Sequence, residues 1–338
     1  MLHDPIHHPD LKIKTAAGQG GPVRLSVILP VYNRAHSIAE ALQSVLDQTH
    51  PADEIIVVDD GSSDDLETAL APYRADIRLI RQPNAGVAAA RNTGAAAARG
   101  GWLAFQASDD LWSRDHLAAV MRDLTGAPAD TVAHLGDVTY TGAGYTEALF
   151  AIKNRTFPQD RAARLEAPLP LVISGMTLQG AAIRRDVFAR LGGFDTAMRM
   201  LSDTAFFCQL ALEGPFAVTG RTLAEIRRLP GDDSALTSLH RKNAVYARQM
   251  HVRGLAALAA RPLSPAHRVL ADKRLSGAEF RLAQALHSRD PKAARALLWQ
   301  AARRHPSPLK GWIKSQMAAI MGPPGYRWAL SDSSLDRS

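Results

Sequence analysis

Residues 24–31 read Arg-Leu-Ser-Val-Ile-Leu-Pro-Val, and residues 54–63 read Glu-Ile-Ile-Val-Val-Asp-Asp-Gly-Ser-Ser. Each is a short run of β-branched and aliphatic residues that stops abruptly at residues favouring turns, as a buried strand does. Between them Ile38, Ala41, Leu42, Val45 and Leu46 recur at the spacing of one helix face, and Gln48-Thr-His-Pro51 closes that helix. The pattern then repeats along the chain. Asp59-Asp60-Gly-Ser-Ser63 supplies a cap for a helix over 64–72, 77–81 is a third strand, 86–99 an Ala-rich helix and 102–106 a fourth strand. Strand and helix alternate four times with short connections. Because such crossovers are right-handed, the expected fold is α/β, with a mainly parallel sheet and helices on both faces.

In open sheets of this kind ligands bind beyond the carboxyl ends of the strands. Polar residues collect there: Tyr32, Asn33 and Arg34 after the first strand, Asp59 and Asp60 after the second, Asn84 after the third, and Ser108, Asp109 and Asp110 after the fourth. Taken singly, each is more simply a turn or cap residue. Four such clusters at successive strand ends point instead to a ligand site. The adjacent carboxylates suit a hard divalent cation, since Mg²⁺ is usually held by one or two carboxylates together with substrate phosphates. Neither GxGxxG nor GxxxxGK[ST] occurs in residues 23–100, which argues against nicotinamide and P-loop enzymes.

Composition sets the outer limits. The 338 residues are 46% hydrophobic and 22% charged, ordinary for a soluble globular protein. The single cysteine, Cys208, permits neither an intramolecular disulfide nor a CxxC metal site. The net charge of +7 is unevenly spread: residues 240–338 hold 18 Lys and Arg against 5 Asp and Glu, and residues 1–239 hold 22 against 28. Three regions are expected: a flexible arm over 1–22, an α/β domain over 23–239 and a basic helical region over 240–338. In the arm, His3, His7 and His8 read as a solvated cluster rather than a metal site. The absence of an apolar run of about 18 residues argues against a spanning helix. With no export signal and one thiol, a cytoplasmic location is expected.

The tail reads as several helices, one carrying Ala244, Ala247, Met250 and Leu255, a second over 270–286 and a third over 293–302. Lys310, Trp312, Lys314, Met317, Ile320 and Met321 mix basic and apolar groups. Such a stretch suits peripheral contact with an anionic membrane surface, at the inner face, or packing on the α/β domain or a second copy in a homodimer. No nucleic-acid partner is expected, because no recognised motif or stacking platform accompanies the charge.

Four segments carry a family resemblance: Val27-Ile-Leu-Pro-Val-Tyr-Asn-Arg34, Ile56-Val-Val-Asp-Asp-Gly-Ser-Ser-Asp64, Asn84-Ala-Gly-Val-Ala-Ala-Ala-Arg-Asn-Thr-Gly94 and Phe105-Gln-Ala-Ser-Asp-Asp-Leu-Trp112. In their order and spacing they resemble family 2 glycosyltransferases, over roughly residues 23–240. The resemblance implies a GT-A fold, a nucleotide-sugar donor and inversion at the anomeric carbon. It places the nucleotide base against Pro30, Val31, Tyr32, Asn33 and Asp60. A carboxylate accepting a base N–H suits uracil, hence a UDP-sugar. It sets Asn84 and Arg91 on the diphosphate side, and Ser108 and Asp109 toward the ribose. The divalent metal, Mg²⁺ or Mn²⁺, would fall mainly to Asp110, with Asp109 beside it. Many members read Asp-x-Asp-Asp where this chain has Ala107-Ser108-Asp109-Asp110, so the first carboxylate is missing.

By the same resemblance Gln179-Gly180 opens the acceptor side, and Leu201-Ser202-Asp203 starts the helix that carries the general base, where many members have Glu-Asp. Asp203 is then the base and Ser202 an acceptor-side residue; by composition alone either would be a helix cap. Gly192-Gly-Phe-Asp195 looks like a turn opening the acceptor loop, and Arg227 with Arg228 resembles a closing segment over the donor phosphates. The expected partners are a nucleotide-sugar donor and the hydroxyl of a glycan, lipid-linked or other acceptor. Two alternatives stand beside this one. A module could hold the nucleotide-sugar without transferring it, as the missing carboxylate suggests. A sugar nucleotidyltransferase is the other, although no basic glycine-rich loop near residue 34 supports it.

Overall fold

The computed structural model describes residues 13–15, 23–142, 144–228, 243–305 and 307–330. The chain divides into two compact units. One comprises Met1–Pro168, Met176–Arg199 and Leu210–Gly231, and the other Leu169–Gly175, Met200–Gln209 and Asp232–Ser338. The sequence placed one cut near residue 240; in the structure two short internal segments join the C-terminal helices.

The first unit is built on one sheet. In chain order its elements are β1 (Ile13–Thr15), β2 (Leu25–Val31), α1 (Ile38–Leu46), β3 (Glu54–Asp59), α2 (Leu66–Leu70), β4 (Arg78–Arg81), α3 (Val87–Ala97), β5 (Trp102–Phe105), β6 (Leu111–Trp112) and α4 (His116–Thr125). There follow β7 (Ala133–Gly142), β8 (Tyr145–Ala148), α5 (Leu149–Ile152), β9 (Ala163–Leu165), β10 (Ala181–Arg184), α7 (Arg185–Arg190) and β11 (Phe216–Arg228), with α6 (Leu169–Val172) lying in the second unit. The strand order is β1-β9-β11-β7-β10-β5-β2-β3-β4, with β6 on β11 and β8 on β7.

The four strands read from the sequence form the parallel half, β4-β3-β2-β5. They are parallel because each is joined to the next by a helix-bearing crossover. Beyond β5 the sheet is mixed. β10 runs antiparallel to both β5 and β7, and β11 is parallel to β7. The strand β2 is buried along its whole length, so its continuous apolar run is the correct signal for a central position. Gly94 lets α3 lie close on that strand: a Cβ there would meet Ile28 Cγ2 at 2.5 Å and Val58 Cγ2 at 3.2 Å.

Two expectations change. Within the supposed flexible arm, Ile13–Thr15 pairs antiparallel with β9; two β-branched residues around one lysine favour extended backbone. The remainder of 1–22, with His3, His7 and His8, lies outside the described residues. The cap of α2 is Asp65, which accepts from the Thr68 N–H, rather than the 59–63 turn. Those turn residues are engaged with the loop after β2 instead.

The second unit adds α8 (Ser202–Leu210), α9 (Ala244–Ala259), α10 (Pro265–Leu286), α11 (Pro291–Arg304), α12 (Pro308–Met321) and α13 (Pro323–Leu330). The starts are written locally. Asn243, Ser264 and Asp290 each accept a backbone N–H of the first turn, and proline occupies the first helical position of α10 and α11. Phe280, Ala283, Ala294, Leu298, Ala301, Ala318 and Tyr326 form a core joining α10 to α13. The three expected tail helices are present, and two more follow them.

Candidate active site

The loops that leave the carboxyl ends of β2, β3 and β5 are tied to one another by side chains. Asn33 adopts a positive φ of 49°, a conformation asparagine tolerates better than most residues. Its N–H donates to Ser62 Oγ at 3.0 Å and its Oδ1 accepts from the Ser63 N–H at 2.8 Å. Pro30 lies within β2, opposite Val58 on β3, and the Val31 carbonyl accepts from the Asp60 N–H at 2.9 Å. Tyr32 stands exposed beside this bracket. Asn33 and the Ser62-Ser63 pair thereby fix the loop after β2 against the loop after β3.

Two consecutive carboxylates at the end of β3 divide their work. Asp59 is fully buried. Burial pushes its carboxyl up, but hydrogen bonds from Ser62 and the Arg81 guanidinium at 2.6 Å outweigh that and hold it below the usual carboxylate range. Asp60 reaches across to the loop before α3: Oδ1 accepts from Gln82 Nε2 at 2.7 Å and the Ala85 N–H at 2.9 Å, and Oδ2 from the Gly86 N–H at 2.8 Å. A carboxylate offers about four lone-pair positions, so one remains for a further donor. Gly61, at φ 79°, permits the close approach of Asn84, whose amide nitrogen would lie 2.8 Å from a Cβ there. Asn84 itself is exposed.

Arg91 is not a solvent-facing helix charge. It is only 8% exposed, and its guanidinium carbon lies 5.8 Å from the centroid of the Phe194 ring. Phe194 belongs to an aromatic group with Phe105 and Phe188, at centroid separations of 5.1–5.8 Å. The turn that carries it is clamped by Asn92, which donates to the Phe194 carbonyl and accepts from its N–H, both at 2.9 Å. Gly193 at φ 71° brings the two together, as a Cβ would stand 2.5 Å from Asn92 Oδ1. In that turn Asp195 accepts from the Ala197 N–H, a turn-forming bond as the sequence suggested.

The pair after β5 is the most tightly constrained part of the site. Asp110 is 4% exposed, and burial together with the adjacent Asp109 charge pushes its carboxyl up to about 7. Its Oδ2 accepts from Gln179 Nε2 at 2.8 Å, its Oδ1 from the Arg227 N–H at 3.0 Å, and its carbonyl from Gln106 Nε2 at 2.7 Å. The Arg227 guanidinium spans the same corner, donating to the Asp109 carbonyl at 2.8 Å and to Glu40 at 2.6 Å. Arg34 lies 3.5 Å from Asp109, and Ser108 is buried, its carbonyl accepting from Ser37 Oγ.

Gln179, read as an acceptor-side residue, is thus placed on Asp110. Its neighbour Gly180 packs against the Gly136 carbonyl, 2.7 Å from where a Cβ would stand. Gln106 carried no separate signal in the sequence, because it acts through a backbone carbonyl; Arg227, read with Arg228 as a closing segment over the donor phosphates, is held by contacts to Asp109 and Asp110 more than 100 residues away. Arg228 lies over the Tyr140 ring at 4.7 Å, and 229–234 fall outside the described residues.

The groups described at this corner that could ligate a metal are the Asp109 and Asp110 carboxylates. Among the described residues no group of three or more His, Cys, Asp or Glu side chains has the arrangement of a protein-only metal site. Asp109 and Asp110 still fit a hard cation whose remaining positions come from phosphate and water. A positive charge there would relieve the like-charge repulsion that raises the carboxyl of Asp110.

In the second unit Ser202 opens α8 in a buried position, and the Asp203 carboxylate accepts from the Thr204 N–H at 2.8 Å in the first turn. The residue before them, Leu201, has a positive φ of 59°. Such a conformation costs a leucine on the order of 1–3 kcal/mol and is found disproportionately at functional sites.

A parallel β4-β3-β2-β5 half with carboxylates at its strand ends, continued by the antiparallel β10, is the GT-A architecture. The chain belongs to glycosyl transferase family 2, whose sequence pattern matches residues 26–192. A Haemophilus influenzae protein described as an uncharacterized glycosyltransferase is 30% identical over 194 residues, 57% of this chain and 63% of that one. The chain spans only 16% of each of two Rickettsia proteins described in the same way. Residues 1–349 of Staphylococcus aureus TarS, solved with UDP-GlcNAc, superpose with a TM-score of 0.66 at 18% identity, covering 90% of both chains. A mannosyltransferase from Pyrobaculum calidifontis, solved with GDP-Man and Mn²⁺, gives a TM-score of 0.53 at 21% identity over 96% of this chain and 88% of the other.

Proposed function

We propose that this family 2 glycosyltransferase moves a sugar from a UDP-sugar to the hydroxyl of a glycan, lipid-linked or other acceptor, with inversion and with a divalent metal. The observation that supports it most is the placement of Asp60 after β3 and of Asp109 and Asp110 after β5, the two strands that flank β2 and its Asn33 loop. The fold it shares with a protein solved with UDP-GlcNAc is consistent with that donor.

In this reading Asp60 uses its remaining lone pair to accept the base N–H, and the bracket of Asn33 with Ser62 and Ser63 fixes the loops after β2 and β3 around it. Arg91 contributes positive charge on the diphosphate side, and Ser108 and Asp109 lie toward the ribose. Asp110, with Asp109 beside it, would hold Mg²⁺ or Mn²⁺, which when bound would supply Lewis-acid stabilisation of the departing diphosphate. Gln179 and the Arg227 backbone keep the Asp110 carboxylate oriented. Asp203 takes the proton from the acceptor hydroxyl as its oxygen attacks the anomeric carbon opposite the diphosphate. The pairing of base and leaving group on opposite faces gives inversion.

Ala107, in place of the family's first carboxylate, favours a second reading, a module that binds the nucleotide-sugar without transferring it. The two separate by assaying transfer and donor hydrolysis with Mn²⁺ and with Mg²⁺ across UDP-sugars. Sugar transfer to an acceptor supports the enzyme. Donor binding with no turnover of any donor supports the module.

A further inference from the structure

The helix α12 is turned with its apolar side outward. Gly311, Lys314, Ser315 and Ala318 are its buried residues, whereas Leu309, Trp312, Ile313 and Ile320 are exposed, Leu309 at 69% and Ile320 at 78%. Those four fall at i, i+3, i+4 and i+11, which places them on one side of a helix. In a helix that only served its own core, the pattern would be reversed.

The orientation is fixed by close contact on the small side. A Cβ on Gly311 would stand 2.6 Å from His305 Cβ and 2.7 Å from the Ala302 carbonyl, and one on Gly325 of α13 would overlap the Met317 carbonyl. Ala318 is part of the core with Phe280 and Tyr326. Rotating α12 to bury its isoleucines would drive Lys310 and Gln316 inward and break these contacts. The apolar stripe therefore stays outside.

Charge selects what can cover it. Residues 291–330 carry seven Lys and Arg and neither Asp nor Glu. On α11, Lys292, Arg295, Trp299 and Arg303 lie on one exposed stripe, with the Arg303 guanidinium 5.8 Å from the Trp299 centroid. Two copies meeting through this region would oppose like charges. An anionic lipid surface meets both requirements, since it accepts apolar side chains at the acyl boundary and attracts cations at the headgroups. Tryptophan and lysine are the residues that settle at such a boundary. No helix among the described residues is long and apolar enough to cross a bilayer, so the contact is peripheral.

We infer that α12 docks the protein on an anionic membrane surface, with Leu309, Trp312, Ile313 and Ile320 inserted at the boundary and Lys310 with the exposed basic residues of α11 against the headgroups. The inference is independent of the transfer reaction. It is tested by floating the full chain with vesicles of phosphatidylcholine plus phosphatidylglycerol, and with vesicles of phosphatidylcholine alone. The wild type is expected to float with the anionic vesicles and to be released as salt is raised. Trp312→Ser with Ile320→Ser should lower the partition about tenfold or more, and Lys310→Gln about fivefold. All three positions are exposed, so circular dichroism and the thermal midpoint should stay at wild-type values. Failure of the wild type to float with anionic vesicles overturns the inference, as does equal flotation of the variants. So does a dimer, seen by sedimentation without lipid, that the double variant dissociates while vesicle binding is unchanged.

Discussion

At Asp110 two hydrogen bonds orient a carboxylate that burial and a neighbouring negative charge both push toward the protonated form. Such a group is poised to release its proton to a cation's field, and its partners become positioning residues. Gln179→Leu removes one of the two side-chain anchors, and outer partners of metal ligands typically matter by 10–100-fold in affinity. Titration calorimetry of UDP at varied Mn²⁺ should show the Mn²⁺ requirement raised by about that factor, with no change in fold. An unchanged Mn²⁺ requirement would remove Gln179 from the site. For Asp203 the expectation is different in kind. Asp203→Asn should leave UDP binding intact while transfer falls about 10²–10⁴-fold, and parental turnover by that variant would rule out Asp203 as the base.

The element that organises the site is α3, whose Ala-rich sequence brings it close to β2 and β3 and whose start and middle serve two loops. Its start meets Asp60 through the Ala85 and Gly86 N–H groups, and Asn92 clamps the turn carrying Phe194. Gly94→Ala would push a methyl to within 2.5 Å of Ile28 Cγ2, and overpacking of this kind costs about 1–3 kcal/mol. Urea denaturation should show that loss as a lower midpoint at unchanged slope; an unaltered midpoint would mean that α3 can move away from β2 freely.

This half of the fold was legible because β2, β3 and β5 are continuous apolar runs, each ending in a turn signal. The other half was not. The strand β10 is four residues of Ala-Ala-Ile-Arg, and the long β11 is broken by register shifts between Val218 and Thr222 and between Thr222 and Ala224. The backbone amide of Arg227 reaches Asp110 only because β11 passes that corner, and no local pattern in the sequence encodes a partner 117 residues away. Likewise Asp60, Asp109 and Asp110 were readable from motif position, whereas the role of Asn92 as a clamp needed the fold.

For the molecule as a whole, the two units carry buried titratable groups of opposite sign. In the sheet unit His116 is buried against Trp112, with ring centroids 3.9 Å apart, and burial lowers its imidazole from 6.5 to about 3. The unfolded chain takes up a proton between those values. Its contribution, on the order of 5 kcal/mol at most, is full above pH 6.5 and lost as the pH falls toward 3. In the helical unit burial raises Glu279 from 4.5 to about 7, despite Arg304 at 3.2 Å. Its contribution runs the other way, present below 4.5 and lost as the pH rises through 7. Glu279→Gln should therefore raise the thermal midpoint relative to wild type more at about pH 8 than at about pH 5. A larger gain at the acid end would contradict the burial assignment.

The central claim, a metal-assisted nucleotide site at the ends of β2, β3 and β5, is most directly tested by calorimetric titration of UDP into the wild type and Asp110→Asn, each with Mn²⁺ and with EDTA. The expected result is saturable binding by the wild type with Mn²⁺ that is largely lost in EDTA and in Asp110→Asn. No binding of UDP by the wild type, or equal binding in all four conditions, would contradict it.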